Sequence, residues 1–133
     1  MKTMQEIFDR WREFADQTIK ASLDGVPLKL RVLTTPEEQS EGFMNKPEPK
    51  EGEGLYFKYS EPRILGFWMK NVPYDLDLVA LDDDYKVIQI IRLKADDPQT
   101  RTISRPCRHV LELRSGTCVG RNIGPGSVLE LDK

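Results

Sequence analysis

The stretch LDLVALDDDYKVIQIIRL, residues 76–93, decides the fold. Two runs rich in Leu, Val and Ile flank the short polar cluster Asp82-Asp83-Asp84-Tyr85, the pattern of a β-hairpin. Strands are expected over Leu76–Leu81 and Lys86–Leu93. The short connection leaves no room for a helical crossover, so the pair runs antiparallel.

The same grammar extends in both directions. On the C-terminal side, residues 95–105 are polar and irregular. His109, Leu111 and Leu113 then alternate with Val110, Glu112 and Arg114 in another strand, and Gly124-Pro125-Gly126 introduces a last one over Val128–Leu131. On the N-terminal side, Ile64–Lys70 and Leu55–Tyr59 read as apolar and aromatic strands, while Lys46–Gly54 carries Pro47, Pro49, Gly52 and Gly54 among charges and reads as an exposed loop. Thr35-Pro36-Glu37-Glu38 combines an N-cap, a proline at the first helical position and a glutamate at the third. A helix of about two turns closing at Gly42 follows. Val26, Leu28, Leu30 and Val32 mark the first strand by their period of two. Seven or so short strands without helical crossovers between the later ones predict a mainly β chain: an antiparallel β-sandwich or barrel-like domain with one or two short helices.

Ahead of it, Thr3 and Glu6 have capping-box spacing, and Met4, Ile7, Phe8, Trp11, Ala15, Thr18 and Ile19 fall on one helical face. The expectation is an amphipathic helix from about Met4 to Ala21 that covers an open end or edge of the domain. Residues 1–25 are then an N-terminal helical extension and residues 26–133 a single β domain.

Composition bounds the function. The 133 residues carry 20 Lys plus Arg against 22 Asp plus Glu, with 38% hydrophobic and 32% charged side chains, and no apolar run approaches a bilayer span. A membrane protein is excluded on that pattern. The net charge of −2 is a sum of unlike parts, −1, −5 and +4 over residues 1–25, 26–85 and 86–133. The late basic residues Arg92, Lys94, Arg101, Arg105, Arg108, Arg114 and Arg121 are diluted by Asp96, Asp97 and Glu112, so nucleic acid is not expected as a partner. The N-terminus alternates charged and apolar residues without the apolar core of an export signal, and a cytoplasmic location is expected. Cys107 and Cys118 lack metal or redox spacing and, separated by a strand, are expected to be buried free thiols.

Chemistry concentrates in Phe67-Trp68-Met69-Lys70-Asn71-Val72-Pro73-Tyr74-Asp75-Leu76-Asp77. In an extended chain Phe67 and Met69 point to one face and Trp68 and Lys70 to the other. Trp68 offers a flat apolar surface with one N–H donor, Lys70 a cation, and Asn71 both donors and acceptors where the strand ends. Such an aromatic floor beside a few polar groups is how small polar ligands are held. Asp77 could orient Lys70, contact a ligand or face solvent. Against the site stands the plainer reading of a half-buried Trp68, a turn-satisfying Asn71 and a surface pair of Lys70 and Asp77 worth at most about 1 kcal/mol. His109, the single histidine, lies on an apolar strand face and suits a hydrogen-bonded structural role. No nucleophile elbow, phosphate loop or metal cluster is present, since the Asp82 turn lacks the glycine and glutamate of a calcium loop. No metal and no cofactor are expected.

The segment Phe67-Trp68-Met69-Lys70-Asn71 resembles the family called domain of unknown function 192. The likeness runs from about Leu28 to Leu131 through Thr35–Met44, Gly54-Leu55-Tyr56-Phe57, Leu76-Asp77, Val110-Leu111-Glu112-Leu113 with Gly116, and Ile123-Gly124-Pro125-Gly126. The resemblance implies a compact β-sandwich or barrel-like fold and no established activity, cofactor or substrate. It adds Gly42, Met44 and Met69 to Trp68, Lys70, Asn71 and Asp77 as positions of interest. Asp75 stands where the family usually has proline, Phe43 where it usually has leucine, and an amphipathic helix where many relatives have export signals. The leading expectation is a non-enzymatic binding module for a small polar or anionic ligand, or a polar protein segment, using Trp68, Lys70, Asn71, Asp77 and Met44. The alternatives are an enzyme using Lys70 with Asp77, and an accessory protein acting through the N-terminal helix or the basic C-terminal half.

Overall fold

The structure is a computed structural model that describes residues 3–6 and 18–132. Its order is β1 (Thr18–Leu23), β2 (Val26–Leu33), α1 (Pro36–Glu41), β3 (Glu53–Arg63), β4 (Gly66–Phe67), β5 (Leu76–Leu81), β6 (Val87–Leu93), β7 (Arg101–Thr102), β8 (Cys107–Arg114) and β9 (Leu129–Leu131). Seven strands form one sheet in the order β6-β5-β8-β3-β2-β1-β9, and β4 pairs with β7 apart from it. Every pairing in the large sheet is antiparallel except β2 with β3, whose connection carries α1. The sheet curls into a half-barrel whose edges touch at one end: Lys86 bridges Val128, Val87 N–H donates to the Ser127 carbonyl at 2.7 Å, and Leu129 N–H donates to the Tyr85 carbonyl at 2.9 Å. These bonds occupy backbone groups that an open edge would leave free. The mainly β, barrel-like expectation holds.

Curling leaves β5, β8 and the first half of β3 buried on both faces. Leu23, Leu30, Tyr56, Val79, Leu81, Leu111 and Leu113 point into the barrel. Leu55, Phe57, Leu76, Leu78, Ala80 and Val110 point outward, where Phe43, Leu65, Phe67, Met69, Val72 and Ile103 cover them. The cover is built from connections, tied by backbone bonds from Met69 N–H to the Asp97 carbonyl (3.1 Å), Asp96 N–H to the Val72 carbonyl (2.9 Å) and Ile103 N–H to the Leu65 carbonyl (2.9 Å).

Two local expectations change. Thr18–Leu23 is strand β1, so the N-terminal helix does not extend to Ala21 and the sheet begins eight residues before Val26. The deciding feature is Asp24-Gly25, with φ of +46° and +83°, a two-residue turn that closes Leu23 onto Val26. A tight Asp-Gly turn fixes an antiparallel partner for Val26–Leu33, and the ladder outweighs a helical pattern whose last member, Ile19, also fits a period of two with Ala21 and Leu23. The capping box is present, with Thr3 N–H on the Glu6 carboxylate and Glu6 N–H on the Thr3 hydroxyl, both 3.1 Å. Residues 7–17, including Trp11 and the rest of the expected helix, lie outside the described residues. The second change is in Ile64–Lys70, where only Gly66–Phe67 pairs as a strand. The expected alternation survives nonetheless, because Phe67 and Met69 are buried while Trp68 and Lys70 are exposed. Among the described residues no helix is long and apolar enough to cross a membrane.

The thiols sit in different cores, Cys107 under the cover and Cys118 inside the barrel. Burial pushes both thiol pKa values up, that of Cys118 to about 12 with help from the Asp77 carboxylate. Because the thiolate is the nucleophile, both cysteines are expected to resist iodoacetamide at pH 8 in the native protein and to react in denaturant. Rapid native labelling of either one, read by intact mass, would contradict the two-core arrangement.

Candidate functional site

α1 begins where Thr35 caps it: the Thr35 side chain accepts from Glu38 N–H at 3.3 Å while the Glu38 carboxylate accepts from Thr35 N–H at 3.3 Å, and Pro36 supplies a preset φ. Gln39 donates to the carbonyls of Leu33 (3.1 Å) and Lys58 (3.0 Å), pinning the helix over the end of β2 and the middle of β3. The helix stops at Gly42, whose φ of +51° favours glycine. The chain then turns back through Phe43 and Met44. The Tyr74 hydroxyl donates to the Lys46 carbonyl at 2.8 Å and its ring meets Phe43 edge-on, which anchors the turn.

Between this turn and the cover lies a cavity of about 220 Å³. Trp68 and Lys70 form one wall, Met44 and Gly42 the opposite one, and Phe57, Tyr59 and Glu112 belong to the floor strands β3 and β8. The Lys70 ammonium lies 5.5 Å from the centre of the Trp68 ring, a cation–π contact at the rim, and Trp68 is 48% exposed. Asn71, at φ +62°, is outside the lining and touches it through an amide donor 4.0 Å from the Met44 sulfur.

Asp77 is elsewhere. It lies on the inward face of β5, 2% exposed, and accepts from Gly116 N–H and Cys118 N–H, both 3.1 Å. It fixes the turn after β8 from inside the barrel. Lys70 and Asp77 therefore do not meet, and the structure brings together Trp68, Lys70 and Met44, with Asn71 beside them. His109 is 5% exposed, with Nδ1 2.6 Å from the Tyr56 hydroxyl and the Tyr85 ring tilted against it at 4.8 Å. Burial lowers its pKa, in keeping with a structural imidazole.

Glu112 is the residue that sequence patterning passed over. It projects from the centre of the sheet, opposite Leu55 on β3 and Leu78 on β5, and is 5% exposed. Among the described residues no hydrogen bond or ion pair reaches its carboxyl group. Glu112 lines the cavity. A Cβ added to Gly42 would come within 3.5 Å of Glu112 Oε1, which places the bare glycine directly over the carboxyl. Burial raises the Glu112 pKa to about 8, with the Lys46 ammonium pulling the other way. The available signal was a glutamate inside Val110-Leu111-Glu112-Leu113, a run otherwise fit for burial on both faces.

A family model for DUF192, described as Uncharacterized ACR, matches residues 18–131, from the first residue of β1 to the last of β9. The fold is similar to the crystal structure of a Sinorhizobium meliloti protein described as a candidate transcription regulator, with a TM-score of 0.81 and 24% identity over 86% of this chain and 93% of the other. It is also similar to that of a protein of unknown function from Novosphingobium aromaticivorans, with a TM-score of 0.79 and 25% identity over 85% and 84%. No curated protein matches the sequence.

Two stability predictions follow from the contrasting carboxyl groups. A Glu112 pKa raised from 4.5 to about 8 means that the folded state binds its proton more tightly than the unfolded state does. That contribution is fully present below pH 4.5 and is lost as pH rises toward 8. Glu112→Gln should therefore be more stable than the parent at pH 8 by up to a few kcal/mol, and nearly equal at pH 4.5. Urea unfolding at the two pH values measures the difference, and a pH-independent one would refute it. Asp77→Ala should cost about 2–4 kcal/mol by orphaning two backbone donors, and a loss below ~1 kcal/mol would remove the turn-fixing role.

Proposed function

The chain belongs to the uncharacterised family DUF192, and we propose that its outer cavity is the binding site of a non-enzymatic module for a small polar ligand. The observation that carries this reading is the pairing of a cavity with a buried carboxyl group that receives no hydrogen bond from the described residues. Leaving such a group unsatisfied costs free energy in the empty protein, and a ligand that hydrogen-bonds to it recovers that cost. At about 220 Å³ the cavity is smaller than the ~300–1,000 Å³ typical of drug-sized ligands, which favours a compact metabolite or a single side chain of a peptide.

The roles divide by position. Trp68 and Met44 offer polarisable apolar surface at the mouth, Lys70 places a charge at the rim, and Glu112 gives directional hydrogen bonding at depth. Asn71 supports the Met44 wall. A Lys70-based enzyme finds less support, because Lys70 is exposed and Asp77 serves the opposite face of the sheet.

The reading is tested by a thermal-shift screen of small metabolites against the parent, Trp68→Ala and Lys70→Ala. Both side chains are exposed, so the unliganded variants should remain within about 0.5 kcal/mol of parental stability. A genuine ligand should raise the parental Tm, and Trp68→Ala should abolish most of that rise. Ligands that stabilise Trp68→Ala as well as the parent would move the site elsewhere, and a silent screen would count against small-ligand binding.

A further inference from the structure

The ligand's chemical class can be argued from the floor of the cavity, an inference that rests on the small-ligand reading above. We propose that Glu112 anchors the ammonium end of a small organic amine, whose apolar stem runs toward Trp68.

Three observations converge on this class. The group at depth is an acceptor when ionised, and no donor from the described residues has been placed on it. The surfaces around it are π faces and thioethers, from Phe57, Tyr59, Trp68, Met44 and Met69. Aromatic faces attract cations. The charged lining comprises two carboxyl groups, Glu41 and Glu112, against one ammonium group, Lys70, and that ammonium lies at the mouth over the Trp68 ring. Lys46, which acts on Glu112 from beside the helix exit, is held by the Glu41 carboxylate at 3.5 Å and by the Gly42 carbonyl. Among the described residues no three His, Cys, Asp or Glu side chains gather to hold a metal ion, so the cation that fits is an organic one.

Binding carries a proton balance. Near neutrality the empty site holds Glu112 largely protonated because burial raises its pKa to about 8. An incoming R–NH₃⁺ donates its hydrogen bonds to the carboxylate, so the carboxyl proton leaves to solvent and the ion pair remains. Affinity for an amine that stays protonated should thus rise about tenfold per pH unit below pH 8 and level off above it. Other titratable groups around Glu112 are Glu41 and Lys46 beside the helix exit, Tyr59 on β3, Tyr74 ahead of β5 and Lys70 on the cover. Burial raises the Tyr59 pKa to about 12 and that of Tyr74 further, with Glu112 adding to both, so neither phenol titrates in this range.

The test is a protein-observed NMR titration of the full chain with butylammonium, butanol and butyrate, three probes sharing one stem, at pH 6 and pH 7.5, using the parent and Glu112→Gln. The expected result is that butylammonium shifts the amides of Gly42 and Leu113 and the Trp68 indole, more tightly at the higher pH, and loses at least about tenfold in affinity in Glu112→Gln. The variant's spectrum confirms its fold in the same experiment. Preference for butyrate would overturn the amine assignment while leaving the small-ligand reading intact, as would butylammonium binding that ignores pH or survives Glu112→Gln. Silence from all three probes overturns this inference, and only a silent metabolite screen as well removes the wider reading.

Discussion

The central strands β5 and β8 are buried on both faces, one against the barrel interior and the other against the outer cover. A sheet in that position has no solvated face on which to park a charge, so every ionisable side chain in it needs a partner or a reason. Two carboxyl groups occupy it. Asp77 points inward and is paid for by two backbone donors of the turn after β8. Glu112, one strand away on the other face, receives none from the described residues. The first completes the fold, and the second leaves an open requirement where the cavity lies.

The cover is what turns that requirement into a site. Its segments have little regular secondary structure, and individual backbone bonds between residues 65–72 and 96–103 hold them in place. α1, capped at Thr35 and pinned by Gln39, sets the opposite wall. Gly42 lets the chain turn sharply above Glu112 because its positive φ costs glycine little. The cavity is therefore a gap between two loop-built walls over a rigid sheet, an arrangement in which a stiff floor positions one polar group and adaptable loops shape the entrance.

Much of this was legible beforehand. The period of two in residues 76–93 and 109–114, the absence of crossovers after β3 and the Thr35 capping box all follow from local chemistry, and so does the division of Phe67 and Met69 from Trp68 and Lys70. At Thr18–Leu23 a long helical stripe ends on Ile19, which also fits a period of two with Ala21 and Leu23, and the Asp24-Gly25 turn settles the matter for the strand. Asp77 and Lys70 are near in sequence, yet strand alternation sends Asp77 to the barrel interior.

By itself the sequence determined the mainly β class, the hairpin, the short helix and the exposed Trp68–Lys70 pair, because each depends on side-chain periodicity and turn chemistry within a few residues. Tertiary structure alone decided that the sheet curls into a half-barrel whose edges touch through Val87 and Ser127, and that its outer face is covered. It also decided that Glu112, rather than Asp77, faces Met44 and Trp68 across a cavity. The physical reason is that burial on the second face of a strand comes from segments distant in the chain. No pattern within Cys107–Arg114 says whether the covering residues bring a hydrogen-bond donor to Glu112 or leave its carboxyl group facing open space.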